Sequence, residues 1–290
     1  MPLLCRSLAL NVMLNRACDI FANPGPMADE MLAICCIIKT MVGWNFERVA
    51  TVGRERCGGM GYLSISRFHD YLALAHTSLT AEGDNRVLMI KIVKDMITGI
   101  AKKTWKLPQT QLNVQKQIGS YLDVTQADTL LDLLKYREVD LFKKLGKKTK
   151  ELTSSGKSGF EALMFHTSNL VQDLAMAYGE RHTFEAALDF LKTIKCNESR
   201  KVMTTVFRVF AIDAVKKNLG YYIAEGAISQ AAAKNLLVAC NSLIKQVALN
   251  INDLLTVLDV PDDILYAPLA QNYVDYYSRP NFGEAAAARL

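Results

Sequence analysis

Residues 27–59 read "MADEMLAICCIIKTMVGWNFERVATVGRERCGG". Apolar side chains recur at 31, 34, 38, 41, 42, 46, 49 and 52, the three-and-four spacing that lines one face of an α-helix. Asp29 stands near the position of an N-terminal cap, and Gly58-Gly59 supplies the stop. The stretch therefore predicts one long helix from Met27 to Cys57. Its end is unusual, because "CGGMG" places three glycines within four positions. One glycine serves as an ordinary C-cap. Three either terminate the helix loosely or leave backbone bare for the close approach of something else, for which a phosphate-bearing group is a candidate.

The same periodicity extends in both directions. Residues 3–22 form an amphipathic pattern closed by "NPGP" at 23–26, and a short helix is expected near 66–75. A further helix runs from Arg86 to Ile97 and ends at Gly99, followed by a break over 99–115. Beyond it, helices are expected near 126–150, 158–178, 183–194, 198–224 and 229–258. "TQAD" at 125–128 resembles a capping box, and Ser229 is a cap for the last helix. No run shows the alternation of a half-buried strand. The expected fold is all-α: two helical bundles divided near residue 110 (1–110 and 111–280), then a tail at 281–290.

Composition narrows the function classes. Half of the 290 residues are apolar and 22% are charged, a globular balance with ample core. The net charge of +5 draws on "LFKKLGKKTK" at 141–150, which reads as a solvated helix face; aromatic interleaving for nucleic acid is missing. Seven cysteines form no CxxC pair and sit mostly among apolar residues, as buried free thiols do in a reducing setting. His69 and His76 have no acidic or cysteine partner at ligand spacing, so no metal site is expected. No apolar run reaches the roughly 20 residues of a membrane span. The acid-free first 18 residues are faintly like a presequence, but read better as a core helix. Ala288-Arg289-Leu290 has the small-basic-leucine form of a peroxisomal address.

Residues 80–89, "TAEGDNRVLM", hold the other odd feature. Asp84 or Asn85 caps the following helix, and Gly83 lets the chain turn ahead of it. Glu82 lies outside the helix and has no role in starting it.

Taken in order, "RERCGGMGY" and "TAEGDNRVLM" resemble the carboxyl-terminal region of peroxisomal acyl-CoA oxidases, members of the acyl-CoA dehydrogenase superfamily, which carry CGG-x-GY and then aromatic-EGDN-x-VL. "MPLLCRSLAL", the helix leading to the glycines, and "LDVPDDILYAPLAQNYVDYY" extend the likeness to most of the chain. The resemblance implies an FAD-dependent oxidase that turns a fatty acyl-CoA and O2 into trans-2-enoyl-CoA and H2O2. It implies Glu82 as the base that removes the α-proton. A free glutamate is a weak base at neutral pH, and desolvation beside an acyl chain strengthens it. Cys57, Gly58, Gly59, Met60 and Gly61 match the segment that touches the adenosine-diphosphate half of FAD, typically across a homodimer interface. Glu55 stands where relatives often have glutamine, and Gly83, Asp84 and Asn85 match positions near the flavin. A peroxisomal import receptor is the implied partner of the last three residues.

Two positions depart from the family pattern: Met60 replaces a common histidine, and Ala81 replaces the aromatic that usually precedes the glutamate. The upstream helical and β-domains of such oxidases have no counterpart in these residues, so the isolated chain is expected not to turn over acyl-CoA. The alternative is a non-catalytic helical module kept for dimerisation or scaffolding.

Overall fold

The structure is a computed structural model that describes residues 1–112, 123, 125–261 and 264–278. It is all-α, with no strand among the described residues. The helices are α1 (Pro2–Ala22), α2 (Met31–Arg56), α3 (Gly58–Tyr62), α4 (Phe68–Thr80), α5 (Asn85–Ala101), α6 (Ala127–Ser154), α7 (Gly159–Glu161), α8 (Ser168–Thr193), α9 (Asn197–Lys217), α10 (Leu219–Ala224), α11 (Gln230–Leu249), α12 (Ile251–Val257) and α13 (Tyr273–Ser278). None is long and apolar enough to cross a membrane.

Two compact units are present. The first comprises Met1–Val42 and Glu82–Asn250, and the second Gly43–Ala81 and Ile251–Leu290. The first unit therefore takes helices from both sides of residue 110, since α1 and α5 pack on α8.

In the first unit α8 is the central helix. Its residues from Tyr178 to Phe184 are all buried, as expected of a helix covered on every side. Around it pack α1, α5, α6 and α9, with Phe184, Phe207, Phe210 and Ile37 among the fully buried side chains. Gly179 sits where α8 meets α2: a Cβ there would lie 2.4 Å from Ile37 Cγ1 and 2.5 Å from Met41 Sδ. This close approach explains a glycine in mid-helix and corrects the expected break between 178 and 183, because α8 runs through it.

Charged residues are buried in the same core. Arg137 donates to Glu180 at 2.9 Å, and Arg181 grips Glu138 with bonds of 2.5 and 3.1 Å. Arg6 of α1 approaches Glu180 at 3.7 Å. Adjacent residues on α6 and adjacent residues on α8 thus pair crosswise, each charge facing its opposite.

Other boundaries depart from the sequence reading for local reasons. The start of α2 is Met31 rather than Met27, because Gly25–Met27 forms a separate 3-10 turn. Gly99 does not end α5, which continues to Ala101; the chain folds back so that Thr104 and Trp105 donate backbone N–H groups to the Gly99 carbonyl. The expected 198–224 and 229–258 helices each break at an asparagine. Asn218 and Asn250 turn their amides back onto the Ala214 and Gln246 carbonyls, competing with helix continuation. "TQAD" does not form a capping box: Thr125 bonds to Asp123, and α6 starts without a side-chain cap. Ser229 does cap α11, accepting from the Ala232 N–H at 3.1 Å. Of the cysteines, only Cys5, Cys36 and Cys240 are buried, fewer than the sequence suggested. Burial pushes the Cys5 thiol up to about 12.

The second unit holds the end of α2, then α3, a 3-10 turn at Ser64–Ser66, α4, α12, a second 3-10 turn at Pro268–Ala270, and α13. The two 3-10 turns pack together, and Tyr71 of α4 meets Tyr266 with ring centroids 5.7 Å apart. Gly53 admits the Phe68 ring, whose Cε1 would be 2.8 Å from a Cβ at that position.

Candidate functional site

The turn between α4 and α5 is built by two successive residues in the left-handed region, Glu82 at φ 59° and Gly83 at φ 107°. Glycine adopts this without penalty, whereas a glutamate there costs about 1 kcal/mol. Such strain persists only where the surroundings over-determine the backbone. They do so in the first unit. Asp84 caps α5, its Oδ1 accepting from the N–H groups of Arg86 and Val87 at 2.9 and 3.3 Å. Asn85 is buried and donates to the Thr40 carbonyl. Lys39 of α2 reaches both sides of Asp84, donating to the Gly83 carbonyl at 2.5 Å and to Asn85 Oδ1 at 2.8 Å. Gln172 of α8 and Arg86 exchange two further bonds, of 3.0 and 3.3 Å. A Cβ at Gly83 would press on Leu88 at 3.1 Å.

Glu82, Gly83 and Asp84 are exposed at the surface of this chain, as is Ala81. The turn therefore offers a carboxylate on a fixed backbone, with its side chain free of the packing that holds its neighbours. Geometrically, that is a group able to meet a reactant brought from outside.

The glycine segment lies in the second unit. Glu55 and Arg56 end α2, and Cys57 is the single turn residue before α3 opens at Gly58. The expected loop of three free glycines is thus mostly a short helix, and each glycine has a different status. Gly58 is at φ 56°, which favours glycine. Gly61 is buried against the end of α2, where a Cβ would lie 2.1 Å from the Arg54 carbonyl oxygen. Its own carbonyl accepts from the Ser66 hydroxyl at 3.1 Å. Gly59 has ordinary φ, and a Cβ at that position would meet nothing within 4 Å, so no feature of this fold requires glycine there. Glu55, Cys57, Gly58 and Gly59 are exposed and Met60 is half-buried. A Cβ at Gly58 or Gly59 would meet nothing within 4 Å, so the backbone there is open to the approach of another group.

Among the described residues no group of three or more potential ligands is placed to hold a metal ion. Sequence reading passed over Lys39 and Gln172, which fix the Glu82 turn. Lys39 carried a signal, as the charge that closes the apolar run "MLAICCII". Gln172 carried none. The tripeptide at 288–290 lies outside the described residues.

Comparison with known proteins gives the family. The acyl-CoA oxidase family model matches residues 126–278, more than half of the chain, and the model of the acyl-CoA oxidase C-alpha1 domain matches residues 4–97. Peroxisomal acyl-coenzyme A oxidase 2 of Arabidopsis thaliana is 22% identical over 96% of this chain and 43% of its own length. The crystal structure of acyl-CoA oxidase 1 from Yarrowia lipolytica superposes with a TM-score of 0.82 at 16% identity, covering 99% of this chain and 48% of that one. Acyl-CoA oxidase-2 of Caenorhabditis elegans, solved with FAD, ascaroside-CoA and ATP, gives 0.61 at 16% identity over 81% of this chain and 35% of that one. The chain spans less than half the length of these relatives.

Proposed function

The chain belongs to the acyl-CoA oxidase family, and on that footing we propose that it is the carboxyl-terminal helical part of an oxidase acting on fatty acyl-CoA. The observation that carries the reading is the Glu82 turn: an exposed carboxylate on a strained backbone held by Lys39, Asp84 and Asn85. In the complete enzyme Glu82 takes the α-proton of the acyl thioester, so that the double bond forms between the α and β carbons. FAD, when bound, would supply the acceptor for the β-hydrogen and its electron pair, and O2, with one further proton, would be the final acceptor, leaving as H2O2. The residues that would hold it are Glu55, Cys57, Gly58, Gly59, Met60 and Gly61 on one segment and Gly83, Asp84 and Asn85 on the other. Gly59 supports that assignment, because its lack of a side chain serves nothing inside this fold.

The division near residue 110 belongs to this proposal: the matched regions leave 98–125 between them, as between a flavin-side bundle and a second bundle. So do a homodimer, the peroxisome as location and recognition of Ala288-Arg289-Leu290 by an import receptor, the last two in keeping with relatives named peroxisomal.

Glu82→Gln in a chain extended to full oxidase length tests the reading. Enoyl-CoA and peroxide formation fall by at least about 10²-fold, the scale of a lost general base, while the visible flavin spectrum is unchanged. Turnover retained by that variant removes Glu82 from the chemistry.

A further inference from the structure

The end of α6 and the turn leading to α8 concentrate the chain's charge. Residues 143–166 contain six lysines against two glutamates, which leaves four of the chain's five net positive charges in 24 residues. Lys144 is consumed locally, by Asp140 at 2.8 Å and Glu225 at 2.6 Å. Lys143, Lys147, Lys148, Lys150 and Lys157 are exposed, and among the described residues only Lys148 of these five is within 4 Å of a carboxylate, Glu151 at 3.6 Å.

Two large apolar side chains are exposed on the turn that follows. Phe160 is 62% exposed and Phe165 is 70% exposed, with ring centroids 5.8 Å apart at 85°. Residues five apart diverge on an α-helix, but Ala162–His166 forms a π-turn that closes the divergence. The turn is held firmly in this pose. Ser158 and Glu161 form a reciprocal capping box, with bonds of 3.1 and 2.9 Å. Ala162 is fully buried, and the buried Thr167 hydroxyl donates to its carbonyl at 2.9 Å. Phe165, His166 and Lys148 line one shallow depression, so aromatic and cationic groups share a surface.

We propose that this α6–α8 turn docks on an anionic lipid bilayer. Phe160 and Phe165 insert at the boundary of headgroups and acyl chains, and Lys147, Lys148, Lys150 and Lys157 face lipid phosphates. Charge complementarity selects a negative partner, and the apolar element is a protruding pair rather than a groove. A bilayer accepts a protrusion without a shaped complement, and basic residues flanking inserted aromatics are the pattern of interfacial binding. The proposal is independent of any role for Glu82.

Cosedimentation of the 290-residue chain with phosphatidylcholine vesicles, with and without phosphatidylserine, tests it. Binding is roughly tenfold or more tighter with phosphatidylserine and weakens as salt is raised. Phe160→Ser with Phe165→Ser abolishes it, and Lys147→Glu with Lys148→Glu does so separately, each variant keeping the wild-type circular dichroism and melting curve. The proposal is overturned by equal binding to both vesicles, by no binding, or by folded variants that bind as wild type. Tighter binding to a nucleic-acid duplex than to the vesicles overturns it too. So does sedimentation equilibrium in which the phenylalanine pair instead holds two copies of the chain together.

Discussion

Lys39 and Asn85, 46 residues apart in sequence, are joined by a bond of 2.8 Å from the lysine ammonium to the asparagine side-chain oxygen. The same ammonium holds the Gly83 carbonyl, so one side chain of α2 fixes the start of α5 and the left-handed pair before it. Replacing Lys39 by methionine keeps the stem and removes both bonds. Hydrogen bonds from a charged donor contribute about 1.5–3 kcal/mol each when well buried, and this half-exposed site is expected to lose about 1–2 kcal/mol in all. Peptide-level hydrogen exchange should show faster opening over 80–89 with the rest of α5 unchanged, and Lys39→Arg should restore part of the protection.

Gly59 and Gly61, two residues apart, meet different surroundings. Alanine at 61 drives its methyl into the Arg54 carbonyl, a backbone atom that cannot swing aside. A loss of about 2–3 kcal/mol, the upper range for overpacking, is expected in thermal unfolding. Alanine at 59 meets nothing in the chain and leaves the melting temperature where it was. In the full-length oxidase the same Gly59→Ala change should weaken FAD binding, read from flavin absorbance on titration; unaltered affinity would take Gly59 out of the cofactor surface.

The buried Arg181–Glu138 pair makes a third prediction. Either residue alone, replaced by Met or Leu, strands its partner's charge in the core and costs about 3–5 kcal/mol. Arg181→Met and Glu138→Leu together should recover most of that loss, because neither charge then has to be desolvated. Glu185, which also accepts from Arg181 at 2.7 Å, is partly exposed and returns to water. Urea unfolding of the two single variants and the double gives the coupling directly; additive losses would show that the pair is not the unit.

Acid sensitivity should trace to His182. Burial, then the neighbouring Arg181 and Arg16, holds its imidazole well below the ordinary 6.5, and its ring packs on Tyr178 at 4.3 Å. Glu30 lies 3.6 Å from Nε2, beyond hydrogen-bond range, and does not offset the burial. Above 6.5 the ring is neutral in both folded and unfolded chains. Below it the unfolded chain takes up a proton that the folded one refuses, so stability falls as pH falls, by up to about 1.4 kcal/mol per unit. Glu30 acts oppositely: burial raises its carboxyl above 4.5, so it favours the folded state as pH drops toward that value. Subtracting the pH profile of His182→Asn from that of wild type isolates the histidine, and parallel profiles below about pH 6.5 would rule it out.

Several elements were legible because the interactions that make them are short-range. The period of α2, the Asp84 cap of α5 and the Ser229 cap of α11 each depend on residues within about one or two turns. The places where the reading failed involve distant partners or competing local bonds. Gly99 and Gly179 looked like breaks, yet both sit inside helices, where the missing side chain makes room for Trp105 and for α2. Thr125 looked like a cap until Asp123 took its hydroxyl.

The sequence by itself determined the all-α class, most helix starts and the two segments on which the family resemblance rests, since capping and periodicity are written in neighbouring residues. Tertiary structure alone decided that Lys39 holds the Glu82 turn, that Arg137 and Glu138 pair crosswise with Glu180 and Arg181, and that Gly61 is packed while Gly59 is bare. The physical reason is the same in each case. A charge or a missing side chain acquires its meaning from what lies opposite, and chain proximity does not encode what a folded core brings within about 3 Å.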